Sequence, residues 1–399
     1  MNSTHEINWN SKQGAAELNK LTTLTNIDLP KSYSQQKSWS ESVVLFFDDA
    51  IKLDSISSSS FVTGIKEASI RDIRPPHSIG TLPNFIPNVN RHSKSVDIKR
   101  YTITNAKVFA LFNIGFVFFD ENNNVLKELS SQYYPLLQLH PNLTGVLSEC
   151  SHLPESATFI ADWFYERNYA HWLLDTVPRL INRAGKVICH NPVKIWQKDL
   201  LQLYGVALTE VEPLEPNQCK SFSNLILDGN NSRPVPHPSY KCHRSSIDFI
   251  RNPNVEITGI QGSQKRALVI KRNDSRVIVN SHELENILVK LGFVVELIDC
   301  AFISVKEQFK CFANADVIVG AHGAAMANTV HCKSGAYIFE VFPKCYGNPA
   351  FWAVSTTVGA NYVAITDVDE VESESRPRYR DISITPFGLS KFCELLAEL

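Results

Sequence analysis

Residues 266–298 read RALVIKRNDSRVIVNSHELENILVKLGFVVELI. The run Arg266–Lys271 is a strand signal, apolar enough to be covered on both faces. Ser281–Leu291 then sets Leu284, Ile287, Leu288 and Leu291 at helical spacing, and Gly292 supplies a C-terminal stop. Val294–Ile298 is the next strand. The alternation continues through a helix at Val305–Ala313, a strand at Val317–Val319 and a helix at Ala324–His331. Tyr337–Phe342, Pro349–Thr357 and Tyr362–Ile365 add strand, helix and strand, and Phe387–Leu399 is a final amphipathic helix. Strands separated by helices imply a parallel sheet covered on both faces.

Upstream the signals are weaker. Residues 1–40 are polar and read as a flexible arm. From Glu41 to about Asn105, Ser57–Ser60 and several prolines split short apolar pieces, so irregular structure with a few short strands is expected. Val108–Leu111 with Phe112, and Gly115–Phe119, are strands joined at Asn113-Ile114; Asp120–Asn124 is a turn into Val125–Leu129. Strands are expected at Thr158–Ile160, Val193–Trp196 and Leu225–Leu227, with helices at Tyr169–Arg183 and Lys198–Tyr204. Residues 229–262 carry Pro234, Pro236, Pro238 and Pro253 and read as an interdomain linker.

Composition narrows the function classes. The chain has 399 residues and a formal net charge of −2, with Lys and Arg scattered, which argues against a nucleic-acid partner. The nine cysteines are odd in number, widely spaced and without C-x-x-C, so neither a disulfide framework nor a zinc site is expected. That points to a reducing compartment. The N-terminus lacks a signal pattern, and the most apolar run, Val108–Phe119, is too short for a span of about 20 residues. A cytoplasmic location is expected, with peripheral contact at the inner face of a membrane left open.

In parallel α/β sheets, ligands bind outside the carboxyl ends of the strands. Those ends carry Lys271-Arg272 with Arg276, then Asp299, then Gly320-Ala-His-Gly323, then Glu340. Arg272 and Arg276 suit phosphate oxygens, and the turn through His322, Gly323 and Ala324 aims backbone N–H groups at an anion. The same turn also occurs in α/β domains without a ligand, and the arginines also read as solvated loop charges. Glu340 reads either as an acceptor for vicinal ribose hydroxyls or as a strand-end acid facing water. G-x-G-x-x-G and the P-loop pattern are absent.

A second constellation is Asn168-Tyr-Ala-His-Trp-Leu-Leu-Asp-Thr-Val-Pro-Arg179. His171 and Asp175 are four apart and share a helix face. They read as a base with its orienter, or as a structural stretch in which Arg179 holds Asp175, His171 is satisfied in the core and Trp172 packs. Pro178 lacks the N–H that would bond to Leu174, so the helix must kink there. No third ligand for a metal is evident beside the pair.

Taken in order, these motifs resemble the glycosyltransferase family 61 domain. NYAHWLLDTVPRL is similar to its Asn-Tyr-x-His-Trp-Leu-x-Asp-x-x-Pro-Arg signature, and KRNDSRVIVN to its Arg-x-x-x-Arg-x-x-x-Asn segment, here Arg272, Arg276 and Asn280. VIVGAHGAAMAN resembles its Gly-x-His-Gly-Ala block and IFEVF its Glu-bearing strand, with Ala325 where a second Gly often occurs. The resemblance covers roughly residues 100 to 370. It implies an α/β, GT-B-like fold: two Rossmann-like domains with a cleft between them, beside the irregular arm. The division expected is an arm at 1–40, an acceptor-side domain at 41–250, a nucleotide-sugar domain at 251–385 and a terminal helix at 386–399.

The resemblance further implies inverting transfer from a nucleotide sugar to a hydroxyl of a glycan or glycoconjugate, with no cofactor and no obligatory metal, in surface polysaccharide synthesis. His171 or Asp175 would be the base. Arg272, Arg276, His322, Gly323, Ala324 and Glu340 would hold the donor, and Asn168, Trp172 and Arg179 would line the acceptor side. The rivals are an epimerase or hydrolase on the same fold, a non-catalytic glycan- or nucleotide-binding protein, and a metal-dependent transferase.

Overall fold

A computed structural model of the chain describes residues 55–56, 62–66, 77–81, 98–111, 115–127, 129–130, 143–161, 168–190, 194–215, 218–229, 244–257, 264–344, 346–371 and 377–398. The expected arm, the Asn113-Ile114 turn and most of the expected linker lie outside these residues.

The C-terminal half forms the parallel sheet that the alternation predicts. Its strands run in the order Val294–Ile298, Arg266–Ile270, Val317–Ala321, Tyr337–Val341, Asn361–Ile365 and His77–Ile79, and every pairing is parallel. Val317–Ala321 is buried at every position, as a central strand covered on both faces must be. From Arg266–Ile270 the chain first steps outward to Val294–Ile298, then returns to the other side at Val317–Ala321. Successive crossovers therefore diverge between 266–270 and 317–321. Such a switch point opens a crevice beyond the carboxyl ends of the two strands.

Two cores hold this sheet. On one face, Leu284 and Leu288 of helix Ser281–Lys290 and Leu389, Phe392 and Leu396 of helix Pro386–Ala397 pack on Val269, Val319 and Phe339. On the other, Leu268, Ile270, Ile318 and Ile338 meet helices Val305–Asn314, Ala324–His331 and Ala350–Thr357. That second cluster continues through Trp172, Leu173, Leu174, Leu200 and Ile250 to Ile160, Val187 and Cys189 of the first sheet. One apolar core thus joins both halves.

The first sheet departs from the expected second Rossmann-like domain. It has nine strands and is mixed. Cys219–Gly229 runs parallel to Ser151–Phe159, followed by Lys186–His190 and Val211–Leu214 in parallel. On its other side lies the long strand Ile98–Leu111, antiparallel to it and to Gly115–Phe119. The antiparallel pairings of Ile98–Leu111 break the parallel series, so only part of this sheet is of βαβ type.

Several local expectations are corrected. The strand expected at Val193–Trp196 is instead Lys186–His190; residues 195–196 open the helix Ile195–Leu203, and residues 191–193 are not described. Both runs are short and apolar, and periodicity alone does not rank them. His77–Ile79 pairs with Asn361–Ile365, so the first half of the chain supplies a strand to the second sheet. The 386–397 helix is part of that sheet's core and not a separate appendage.

Cys150 and Cys219 form a disulfide, against the expectation of none, with Cα atoms 5.1 Å apart across a sequence separation of 69. Parallel pairing explains it: Ser151 and Lys220 are register partners, so the residues just before them are neighbours. Cys189, Cys311 and Cys332 are buried free thiols, as expected for small core residues.

Candidate functional site

Asn168 caps the first turn of the second motif, its Oδ1 accepting from Ala170 N at 3.0 Å and His171 N at 3.4 Å. The helix expected over 169–183 is shorter and changes pitch. Tyr169–His171 is α-helical, Trp172–Thr176 is a π turn and Val177–Leu180 is a 3₁₀ turn. The N–H of Val177 reaches back to Trp172 O, an i to i−5 bond. Pro178 is the physical reason: Leu174 O loses its donor there, and the widened turn absorbs the break.

His171 Nδ1 stands 3.1 Å from Asp175 Oδ2, and both side chains keep some exposure, 19% and 14%. Arg179 is fixed beside Asp175 through the backbone. Its Nε donates to the backbone oxygen of Asp175 at 3.1 Å and its Nη1 to Ala161 O at 3.0 Å, fastening the segment to the end of strand 151–159. Trp172 is buried and packs edge-on to Trp196, so it belongs to the core and not to an acceptor surface.

The second motif group meets at the switch point. Arg272 donates from Nε to Ser275 O at 2.7 Å and from Nη2 to Asp274 at 2.8 and 2.9 Å, and its Nη1 lies 3.5 Å from His322 O. Gly323 allows this approach: a Cβ there would lie 1.7 Å from Arg272 Nη1. Arg276 follows in a left-handed conformation at φ 55. Its guanidinium lies 5.5 Å from the Tyr346 ring and 5.9 Å from the Tyr379 ring. Tyr346 in turn stands 5.2 Å from the His322 ring. Among the described residues, Arg276 Nε is buried without a hydrogen-bond partner. Burial and the neighbouring Arg272 charge pull the Arg276 pKa below the ordinary arginine value. A partly buried guanidinium next to another cation gains from an added anion.

Glu340 does not offer a ribose a free carboxylate edge. It is fully buried on strand 337–341; His322 Nδ1 lies 2.5 Å from Oε1, and the Tyr362 hydroxyl donates to Oε2. Burial, then the Glu340 charge, push the Tyr362 pKa well up, so the phenol stays protonated and donates. A carboxylate acceptor at Nδ1 favours the proton there and leaves the ring's lone pair on Nε2. Glu340 is a positioning group for His322.

The two motifs touch through a residue whose role the sequence left open. Tyr169 OH donates to Asn328 Oδ1 at 2.6 Å, and Asn328 Nδ2 donates to Gln308 Oε1 at 2.9 Å. The turn bearing His171 therefore lies against helix Ala324–His331, whose first turn follows His322 and Gly323. Tyr169 and Asn328 stand inside the quoted motifs; Tyr346 and Tyr362 carry no local signal. Among the described residues no group of three or more His, Cys, Asp or Glu side chains is placed to hold a metal, and no helix is long and apolar enough to cross a membrane.

The same helix ends at His331, stacked 3.8 Å from Phe309. Burial, then Arg251, lower its pKa from 6.5 to about 3. The native state therefore holds a neutral imidazole that the unfolded chain protonates below about pH 6.5. Stability from this site is complete above that pH and falls toward pH 3, by at most roughly 1.4 kcal/mol per pH unit. Urea unfolding at pH 7.0 and 5.0 is expected to show a smaller acid loss for His331→Gln than for the parent chain; equal losses would remove the assignment.

Residues 169–339 match the family model described as Glycosyltransferase 61. Over these residues the chain resembles the glycosyltransferase 61 family. The match begins at Tyr169 and ends one residue before Glu340, so it contains the imidazole–carboxylate turn, both arginines and the His322 loop. The chain is 33% identical over 167 residues to protein O-linked-mannose beta-1,4-N-acetylglucosaminyltransferase 2 of Pan troglodytes, 41% of this chain and 25% of that protein. It is 28% identical over 120 residues to alpha-1,3-arabinosyltransferase XAT3 of Oryza sativa subsp. japonica, 30% of this chain and 19% of that one. The chain thus spans about a quarter or less of the length of these curated relatives. Among solved structures it is similar to the iron-containing dodecameric glycosyltransferase TibC from enterotoxigenic E. coli. The TM-score is 0.29 and the identity 8%, over 65% of this chain and 78% of that one. An overlap that loose carries nothing about fold.

Proposed function

We propose that this chain is a glycosyltransferase 61 enzyme that moves a sugar from a nucleotide-sugar donor to a hydroxyl of a glycan or glycoconjugate, by inverting displacement and without an obligatory metal. The observation that carries the reading is the buried, unpartnered Nε of Arg276 beside Arg272 at the switch point, with Tyr346 linking it to His322. A diphosphate supplies the oxygens these donors require. In the reaction the acceptor oxygen attacks the anomeric carbon from the face opposite the leaving group. As that C–O bond forms, the bond from the anomeric carbon to the diphosphate oxygen breaks. Its electron pair leaves with the nucleoside diphosphate, stabilised by Arg272, Arg276 and His322. The acceptor proton passes to the His171–Asp175 pair. In this reading the apolar core joining the sheets fixes the two motifs on either side of the reacting sugar. The Cys150–Cys219 bridge favours an oxidising compartment over the reducing one expected from cysteine spacing.

Thermal unfolding with UDP, GDP, ADP and CDP tests the donor site. At a concentration about 100 times Kd, the matching nucleotide raises stability by about 2.7 kcal/mol. Arg276→Ala is expected to lose that rise. Product analysis with the matching nucleotide sugar then checks transfer: conversion of the donor without an acceptor would identify an epimerase or hydrolase instead.

A further inference from the structure

With Glu340 committed to His322 and Tyr362, the proposed donor site needs its ribose contact elsewhere, and the strand order indicates where. The crevice lies between strands 266–270 and 317–321, and strand 294–298 borders it on the 266–270 side. Ile270 and Ile298 are register partners, so Asp299 lies beside Lys271 and one strand spacing, about 4.8 Å, from the loop that carries Arg272. Asp299 Oδ1 accepts from Ala301 N at 2.9 Å, which closes a tight turn, and Oδ2 accepts from the side chain of Asn273, the residue after Arg272. A carboxylate has about four lone-pair sites, so two remain after these bonds. The turn ends at Phe302, whose N–H donates to Asp299 O at 3.1 Å and which is 79% exposed.

We infer that Asp299 binds the vicinal hydroxyls of the donor's ribose and that Phe302 is the platform on which the nucleobase stacks. The inference rests on the donor-site reading above. The nucleoside then extends from the diphosphate at Arg272 and Arg276 toward the edge strand, and Asn273 couples the ribose contact to the diphosphate loop. Asp274, the other acid of this loop, is taken by Arg272. A stacked base adds affinity with little sequence preference, because every base has a π face. A carboxylate accepting from hydroxyls discriminates ribose from deoxyribose.

Calorimetry with whichever of UDP, GDP, ADP and CDP binds best, its 2′-deoxy and 3′-deoxy forms, and inorganic pyrophosphate tests this. The parent chain is expected to prefer the ribonucleotide over each deoxy form by about 10-fold or more. Asp299→Asn and Asp299→Ala should bring the forms within about twofold of one another, with pyrophosphate binding kept. Phe302→Ala should weaken ribo and deoxy forms alike, by about 5-fold or more, and leave pyrophosphate unchanged. Discrimination that survives both Asp299 variants overturns the inference while the donor site stands. So does loss of pyrophosphate binding in those variants, since the acid would then act on the loop alone. If none of the four nucleotides binds the parent chain, the donor-site reading itself has failed and this inference falls with it.

Discussion

His171→Ala and Asp175→Asn are each expected to lower kcat for sugar transfer by about 10²–10⁴ without unfolding the chain. The side chains are 3.1 Å apart on one face of a π turn, partly open and backed by a buried segment. Neither substitution opens a large cavity, because neither side chain is a core residue. A base and its orienter act as one unit, so the double variant is expected to be little worse than the poorer single one. Donor affinity, measured by calorimetry, should be unchanged in all three, since the proposed diphosphate loop is anchored separately through Arg272, Gly323 and His322. Steady-state rates at saturating donor and acceptor decide the matter: full activity in both single variants would remove the pair from the mechanism.

The largest effect on stability is expected at Glu340. Glu340→Ala leaves His322 Nδ1 and the Tyr362 hydroxyl without their buried acceptor and opens space beneath the site. Breaking a buried pair in this way costs about 3–5 kcal/mol. Glu340→Gln keeps the volume and one oxygen, so it should lose much less stability, roughly 1–3 kcal/mol. It still weakens donor binding, because an amide no longer holds the imidazole proton on Nδ1. Urea unfolding of the two variants gives the first comparison and calorimetry with the matching nucleoside diphosphate the second. Equal stability of Glu340→Ala and the parent chain would mean that the triad of His322, Glu340 and Tyr362 is not a buried unit.

Much of the C-terminal half was legible because its determinants are local. Apolar runs at 266–270, 294–298, 317–321, 337–341 and 361–365 alternate with helical periodicity, and that alternation dictates a parallel sheet. The same locality exposed His171 with Asp175, since four residues of separation bring them to one face. It also foretold a break at Pro178, because a missing N–H is a property of one residue. The fate of that break needed the surroundings: the π turn depends on what the buried segment packs against.

Local patterning dictates the five strands from 266 to 365 and the helices between them, and which polar residues stand at the strand ends. Which of those residues meet follows from strand order and register. Tyr362 reaches Glu340 from the adjacent strand, Cys150 reaches Cys219 across a ladder, and His77–Ile79 crosses to the far edge of the second sheet. Each is a lateral neighbour set by strand order and register, and no pattern within either segment records its partner. Glu340 shows the consequence. Its position at a strand end was readable, but whether its carboxylate faced solvent or His322 depended on residues about 20 positions away on either side.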